Sequence, residues 1–456
     1  MFGKTKVRDM TSGSPLKLLI SFTLPLLLGN AFQQLYSIVD TAVVGRGVST
    51  DALAAVGATG SIHWLILGFV TGFTHVFAIA VAQAFGSHDE KLTRRTVIMS
   101  FYLAGIIAAV VSVLSVVFSR KILILMGTPE NLVADATLYI SIIFGGSIFM
   151  ILYNVAASVL RAFGNSTVPL MVIIFSSVFN VVADIVFVVV FNWGVAGVAV
   201  ATVMANFLCV PVCIHYIRKI PMLKFTKEDF KWHNETARKL ISLGLPVGLM
   251  NSVTAIGNVA LQFVVNTMGA GIVAAYAVGC RILGLADHAA NVVGMALGTY
   301  VGQNIGAGNI RRTKEGVRTA FWLSNGFTAL LAAIMIVFGK ALTGLFVGPG
   351  EVQIINDAYP FLVISGSMMW VLGLLFVYRF SLQSLGDTVV PMFSGLLELV
   401  IRLSVVFAIP AAMGFYRVSI AEVAAWFGAA LMLCIGYYVR ISRIEKDPAL
   451  HKKLLK

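Results

Sequence analysis

Between Val178 and Phe191 the chain reads VFNVVADIVFVVVF, an apolar run interrupted by one amide and one acid. Asn180 and Asp184 are four residues apart, so a helix carries them on one face, one turn above the other. An ionisable group in a helix of bilayer length costs ~2.5 to 3.5 kcal/mol even on the lenient insertion scales, and such groups face a bundle interior, a partner or a water-filled path. Three of the other acids, Asp40, Asp287 and Glu398, also fall well inside apolar runs. Gln33, Tyr36 and Asp40 recur at spacings of three and four, which lines them along one side of a helix. Oxygen-rich side chains of this kind can hold a proton or an alkali cation.

The elements that must position these groups follow from composition. Of the 456 residues, 59% are hydrophobic and only 12% charged, and mean hydropathy is +0.92. These values define an all-α polytopic membrane protein. Apolar stretches of bilayer length predict twelve transmembrane helices at about 16–43, 53–83, 94–118, 134–159, 168–191, 194–217, 238–265, 272–303, 313–338, 356–380, 390–412 and 419–441. With the N-terminus inside, 26 of the 33 basic residues fall in cytoplasmic segments and 5 in outer ones, which puts both termini in the cytoplasm of a plasma-membrane protein. The formal charge of +13 is spread over these short segments and forms no basic stripe with interleaved aromatics, so nucleic acid is not an expected partner. The lipid bilayer is. Cys209, Cys213, Cys280 and Cys434 all lie within apolar runs and read as buried thiols. GKT at 3–5 lacks the glycine loop of a nucleotide site, and no nucleophile elbow or metal-binding cluster appears, so the chain reads as a non-enzyme without a cofactor.

The longest polar interruption, Arg218 to Lys239, carries Phe225, Phe230 and Trp232 among its charges, which suits either an interfacial helix or a plain linker. It divides the chain into an N-terminal lobe (1–217), a linker (218–237) and a C-terminal lobe with a basic tail (238–456). The lobes are repeats. SFTLPLLLGN at 21–30 matches SLGLPVGLMN at 242–251, VAQAFG at 81–86 matches VGQNIG at 301–306, and GNSTVP at 164–169 matches GDTVVP at 386–391. Each repeat has six spans, so both enter the membrane from the same side and are related by a pseudo-two-fold axis along the membrane normal, a transporter architecture with substrate expected between the lobes.

This topology brings the polar groups to one depth. Asp40, Tyr139, Asp184 and Thr202 all fall within ~5 to 12 Å of the predicted outer interface, with Asn180 slightly deeper. Two acids in so poorly solvated a pocket could bind and release H+ near neutral pH, and the same oxygens at Asp40, Asn180 and Asp184 could instead hold Na+. A polar network that only pins helices together is the structural alternative. Pro25 removes a backbone bond from the first span and permits a hinge or a static kink. Asn154, deeper in the fourth span, is a candidate for a cavity wall. Asp287 is a secondary site candidate, and Glu398 is expected to pair with Arg402 one turn along its own helix.

The paired six-span units, the run LPLLLGNAFQQLYSIVDTAVVG, and the motifs RAFGNSTVP and SLGDTVVP together resemble the multidrug and toxic compound extrusion (MATE) family over essentially the whole chain. The resemblance implies a cation-coupled antiporter, acting as a monomer, that exports small amphipathic and often cationic molecules by alternating access. On that resemblance Asp40, Tyr139, Asn180, Asp184 and Thr202 match the cation site of the DinF-like branch, and Gln33, Tyr36 and Asn154 its cavity wall. The seventh span has no acid, and the tenth has Tyr378 and Arg379 where the NorM-like branch implies one. A lipid-linked precursor flippase, which would need Arg281 and Arg402, and a passive channel are the alternative readings.

Overall fold

The computed structural model describes residues 7–348 and 350–447. The GKT tripeptide at 3–5 and the distal part of the basic tail lie outside the described residues. Fourteen α-helices follow in order: α1 (Pro15–Gly47), α2 (Thr50–Gly86), α3 (Glu90–Leu125), α4 (Glu130–Gly145), α5 (Ser147–Ala162), α6 (Thr167–Ile185), α7 (Gly194–Arg218), α8 (Asn234–Asn266), α9 (Ala270–Gly306), α10 (Ile310–Val347), α11 (Val352–Ser367), α12 (Met369–Ser384), α13 (Val389–Ala408) and α14 (Tyr416–Lys446). Among the described residues there is no strand. Ten of these helices or helical runs are long and apolar enough to span a bilayer alone, and twelve spans result if the pairs α4–α5 and α11–α12 each count as one.

Those two pairs are bent by 44° and 49°, where the sequence reads as two straight spans. The breaks fall at Gly146 and Met368, equivalent positions in the two repeats. At the first, Gly145 and Gly146 meet, and a Cβ on Gly146 would lie only 2.4 Å from the Val203 side chain, so α7 approaches the break too closely for any larger residue. The fifth predicted span also departs from a plain helix. After Ile185 it continues as a π-helical turn, Val186–Val190, in which the Phe191 amide donates to the Val186 carbonyl five residues back.

The repeated motifs build the same turns twice. Gly164 and Gly386 both take left-handed backbone (φ 74° and 72°). Immediately after each, the side chains of Asn165 and Asp387 accept the amide hydrogens of Val168 and Val390, at 3.0 and 3.1 Å, and so cap α6 and α13. Asp89 and Asn309 cap α3 and α10 in the same way.

The helices cluster into two compact units. One contains Ser21–Gly244; the other contains Thr11–Ile20 and the chain from Leu245 onward. In the first, α2, α5 and α7 pack together with α3 and α4, and α6 lies on α7. Its core is apolar and aromatic: Phe73 meets Phe77 edge-on at 5.4 Å, and Phe85 lies 4.8 Å from Phe163. In the second, α9 packs on α10, α11 and α12, and α13 on α14. Here Gly294 lets α9 touch α12, since a Cβ there would lie 2.3 Å from the Phe380 ring.

The segment between α7 and α8 forms no α-helix. A short 3-10 turn at Pro221–Leu223 leads into a strap held on α3, because the aromatic residues that suggested an interfacial helix find partners there. Tyr102 stacks on Trp232 at 6.4 Å and donates to the Phe230 carbonyl, and the His233 amide donates to Met99 Sδ. Asp229, 2% exposed, accepts from the Thr226 amide (2.8 Å), the Thr226 hydroxyl (2.9 Å) and Arg94 Nε (2.9 Å). Burial alone would raise its affinity for a proton, but these donors outweigh it and hold the carboxyl below the usual carboxylate range. A depressed folded-state value means stabilisation that is complete above the unfolded value, about 3.9, and lost as pH falls through the folded value. Asp229→Ala should therefore cost ~1 to 3 kcal/mol at neutral pH in detergent-solubilised thermal melts. The difference from wild type should shrink as pH is taken below about 4.

Candidate functional site

The acid noted at Asp184 is wholly buried in the last turn of α6, and Asn180, one turn earlier, is 2% exposed. Asn180 Nδ2 donates to Thr202 Oγ1 on α7 at 3.4 Å. From α1, near its C-terminal end, the Asp40 carboxyl comes within hydrogen-bonding reach of Asp184. Tyr36, bonded to Gln33 one turn back on α1, faces the same two acids, and Tyr139 on α4 completes the ring of groups around them. Six of the sequence-predicted residues, Asp40, Tyr139, Asn180, Asp184, Thr202 and Tyr36, are thus brought together from four helices, with Gln33 attached through Tyr36.

Packing fixes this arrangement. The π-helical turn directs Val188 into a small core with Val44, Ala52, Val195 and Val198, against which Tyr139 also packs. Gly47 at the end of α1 touches Val188, where a Cβ would sit at 3.0 Å. The turn that follows Asp184 therefore locks onto the end of the helix that carries Asp40.

The chemistry of the pair lies in what it lacks. Both Asp184 oxygens and Asp40 Oδ1 are buried without a hydrogen-bond donor among the described residues, and Asn180 Oδ1 is likewise unmatched. Two carboxylates cannot donate to each other, so a proton or a small cation between them is what would make the contact favourable. The donor set of carboxylates, amide oxygen and hydroxyl suits a hard monovalent cation as well as H+.

Other predicted residues stand elsewhere. Asn154, on α5, is partly exposed. Pro25 lies inside α1, which runs unbroken from Pro15 to Gly47. Asp287 belongs to the second unit, where the charges nearest it are Arg379, Glu422 and Glu398. Glu398 does not take Arg402 as its principal partner. It bonds Arg379 of α12, while Arg402 donates to Glu422 of α14 (3.1 Å) and Asn258 of α8 (3.0 Å). Both residues of α13 are buried, and each turns to a neighbouring helix rather than along its own. Sequence reasoning overlooked Tyr153, whose hydroxyl lies within electrostatic range of both Tyr36 and Arg161. Its position beside Asn154 was the available signal.

Two compact units of bilayer-length helices, with internally matched turns and a polar site around the buried Asp184, define a polytopic transporter rather than an enzyme. The MatE family profile matches the chain twice, over residues 25–186 and 246–408, one match to each repeat. The chain belongs to the MatE family. It is 29% identical over 362 residues to the probable multidrug resistance protein YpnP of Bacillus subtilis (strain 168), covering 78% of this chain and 79% of that one. It is 24% identical to the probable multidrug resistance protein NorM of Thermotoga maritima, covering 82% and 81%. A solved structure described as the outward-facing conformation of a multidrug resistance MATE family transporter shares the fold with a TM-score of 0.91, at 21% identity over 98% of this chain and all of that one.

The unmatched acid pair generates a test. Wild-type protein in detergent should melt at higher temperature as Na+ is added or as pH is lowered, because whichever cation fills the pair stabilises the folded state. Asp184→Asn gives Asp40 an N–H donor in place of a like charge, so its melting temperature should respond to neither. Equal responses in the two proteins would show that the pair binds no cation.

Proposed function

We propose that this MatE-family transporter is an antiporter coupled to H+ or Na+, exporting small amphipathic and often cationic molecules by alternating access, with Asp40 and Asp184 as the coupling pair. The observation that carries the reading is the contact between these carboxyls, in which neither Asp184 oxygen nor Asp40 Oδ1 has a donor among the described residues. A cation arriving there changes the energetics of the α1–α6 contact, and a cation leaving reverses it, which is what coupling to a gradient requires. Asn180 and Thr202 hold the floor of the site, and Tyr36 and Tyr139 shield it. Pro25, having no amide hydrogen, is the point at which α1 can bend in response.

The orientation belongs to the same proposal: a plasma-membrane protein, acting as a monomer, with both termini in the cytoplasm, as the distribution of basic residues supports. The flippase alternative is disfavoured because Arg402 is neutralised by Glu422 and also donates to the Asn258 amide oxygen, and so is not available to an anionic headgroup. A passive channel would need no buried acid pair and would carry substrate only to equilibrium.

Proteoliposomes loaded with a fluorescent organic cation, under separately imposed pH and Na+ gradients, provide the measurement. Wild-type protein should move the dye against its gradient with at least one of the two ions. The Asp40→Asn, Asp184→Asn double variant should lose gradient-driven movement while still exchanging dye for dye. Full gradient-driven activity in the double variant would remove these residues from the coupling role, and wild-type inertness to both gradients would end the antiporter reading.

A further inference from the structure

The strap between α7 and α8 has two faces of opposite character. Its inner face is held: Leu223 is buried, Phe225 packs against the core of the first unit, and the His233 amide bonds Met99 on α3. Its outer face carries aromatic rings with no such cover. Phe230 and Trp232 are 49% and 48% exposed, and Trp232 lies over the exposed Tyr102 ring with an interplanar angle of only 10°. Trp232 Nε1 donates to Asn234 Oδ1 at 2.7 Å, which fixes the orientation of the indole. The apolar run of α3 begins at Val97, so Tyr102 sits only ~8 Å inside it. The ring pair therefore falls at the depth where Trp and Tyr collect at a bilayer surface.

Charge on the strap is one-sided. Residues 226–229 make a turn closed by Asp229, which accepts from Thr226 and pairs with Arg94, so its negative charge is spent on the inside. Lys224, Lys227 and Lys231, around the turn and the rings, are exposed and enter no ion pair among the described residues. Glu228 is the one exposed acid between them. Aromatic rings at headgroup depth beside uncompensated lysines complement a molecule that joins an apolar body to an anionic head.

We infer that the outer face of the strap binds an anionic phospholipid, with the phosphate taken by Lys227 and Lys231 and the glycerol and upper chains lying on Trp232, Tyr102 and Phe230. The lipid ties the outer face of the strap to the bilayer, as Asp229 ties its inner face to α3. With both termini in the cytoplasm, as proposed above, the lipid belongs to the inner leaflet. The site shares no residue with the acid pair and goes beyond the antiport reading.

The test is native mass spectrometry of the purified full-length protein, released from detergent micelles doped with equal amounts of phosphatidylglycerol and phosphatidylcholine of the same chains. Wild-type protein should retain phosphatidylglycerol in preference, and the preference should fade as ammonium acetate is raised and screens the lysines. Replacing both lysines (Lys227→Gln, Lys231→Gln) should lower the preference about ten-fold or more, the worth of two basic side chains near an anionic headgroup. Trp232→Ala should cut retention of both lipids by a similar factor and leave the preference in place, because the rings meet the parts that the two lipids share. The control pair Arg120→Gln, Lys121→Gln, exposed at the other end of α3, removes the same charge and should leave the preference as in wild type. If Trp232→Ala does not fold, the lysine pair and its control decide alone. A wild-type protein without preference overturns the inference, and so does an equal fall in the lysine variant and the control, which would reflect overall charge. A dimer peak that Trp232→Ala abolishes would assign this face to a second copy of the chain and overturn it as well. No readout here uses a gradient, so failure of gradient-driven transport would count against antiport and leave the lipid site standing.

Discussion

The contact between Asp40 and Asp184 is unfavourable as it stands: two carboxyls face each other, Asp184 wholly buried and Asp40 half-buried, and neither Asp184 oxygen nor Asp40 Oδ1 has a donor among the described residues. Much of the first unit is arranged to keep it in place. The π-helical turn brings Val188 against Gly47, Tyr139 packs on the same small core, and Asn180 is held to Thr202 across α6 and α7. A bundle made only for stability would replace such a pair with apolar side chains of similar volume, which in buried sites is often neutral or favourable. Retaining it leaves two facing acids where α6 meets the end of α1.

The repeat makes the contrast internal to the molecule. The turns at Gly164 and Gly386 have the same backbone and the same kind of cap, and the breaks at Gly146 and Met368 fall at matched positions. The chemistry nevertheless differs. Where the first unit has Asn180 and Asp184, the second has Arg402 and Val406, and its buried charges close on themselves through Arg379–Glu398 and Arg402–Glu422. A shared scaffold thus carries an open polar site in one half and a self-neutralised network in the other.

The parts of this arrangement legible in the sequence were those set by hydropathy and by periodicity on a single helix. The spans, the duplicated motifs and the shared face of Asn180 and Asp184 all have that origin. What escaped depends on neighbours. Hydropathy does not change across Gly146 or Met368, so a bent span reads like a straight one. The expected Glu398–Arg402 pair came from one-turn spacing, which is blind to Arg379 and Glu422 on adjacent helices. The aromatic residues between α7 and α8 suggested a helix at the membrane surface, whereas Tyr102 and Met99 on α3 gave them a surface to fold onto. Arg161 follows an apolar run in the sequence, and its neighbours His75 of α2 and Cys213 of α7 are visible only in three dimensions.

The break at Gly146 separates Tyr139 on α4 from Asn154, Ser158 and Arg161 on α5. An unbroken helix would gear these residues together, so that any turn of one end would swing the other through the same angle. With a 44° elbow between them, the two segments have different long axes. The span is in effect a crank rather than a rod, and a tilt of the Tyr139 segment is felt by the Asn154 segment along a different direction.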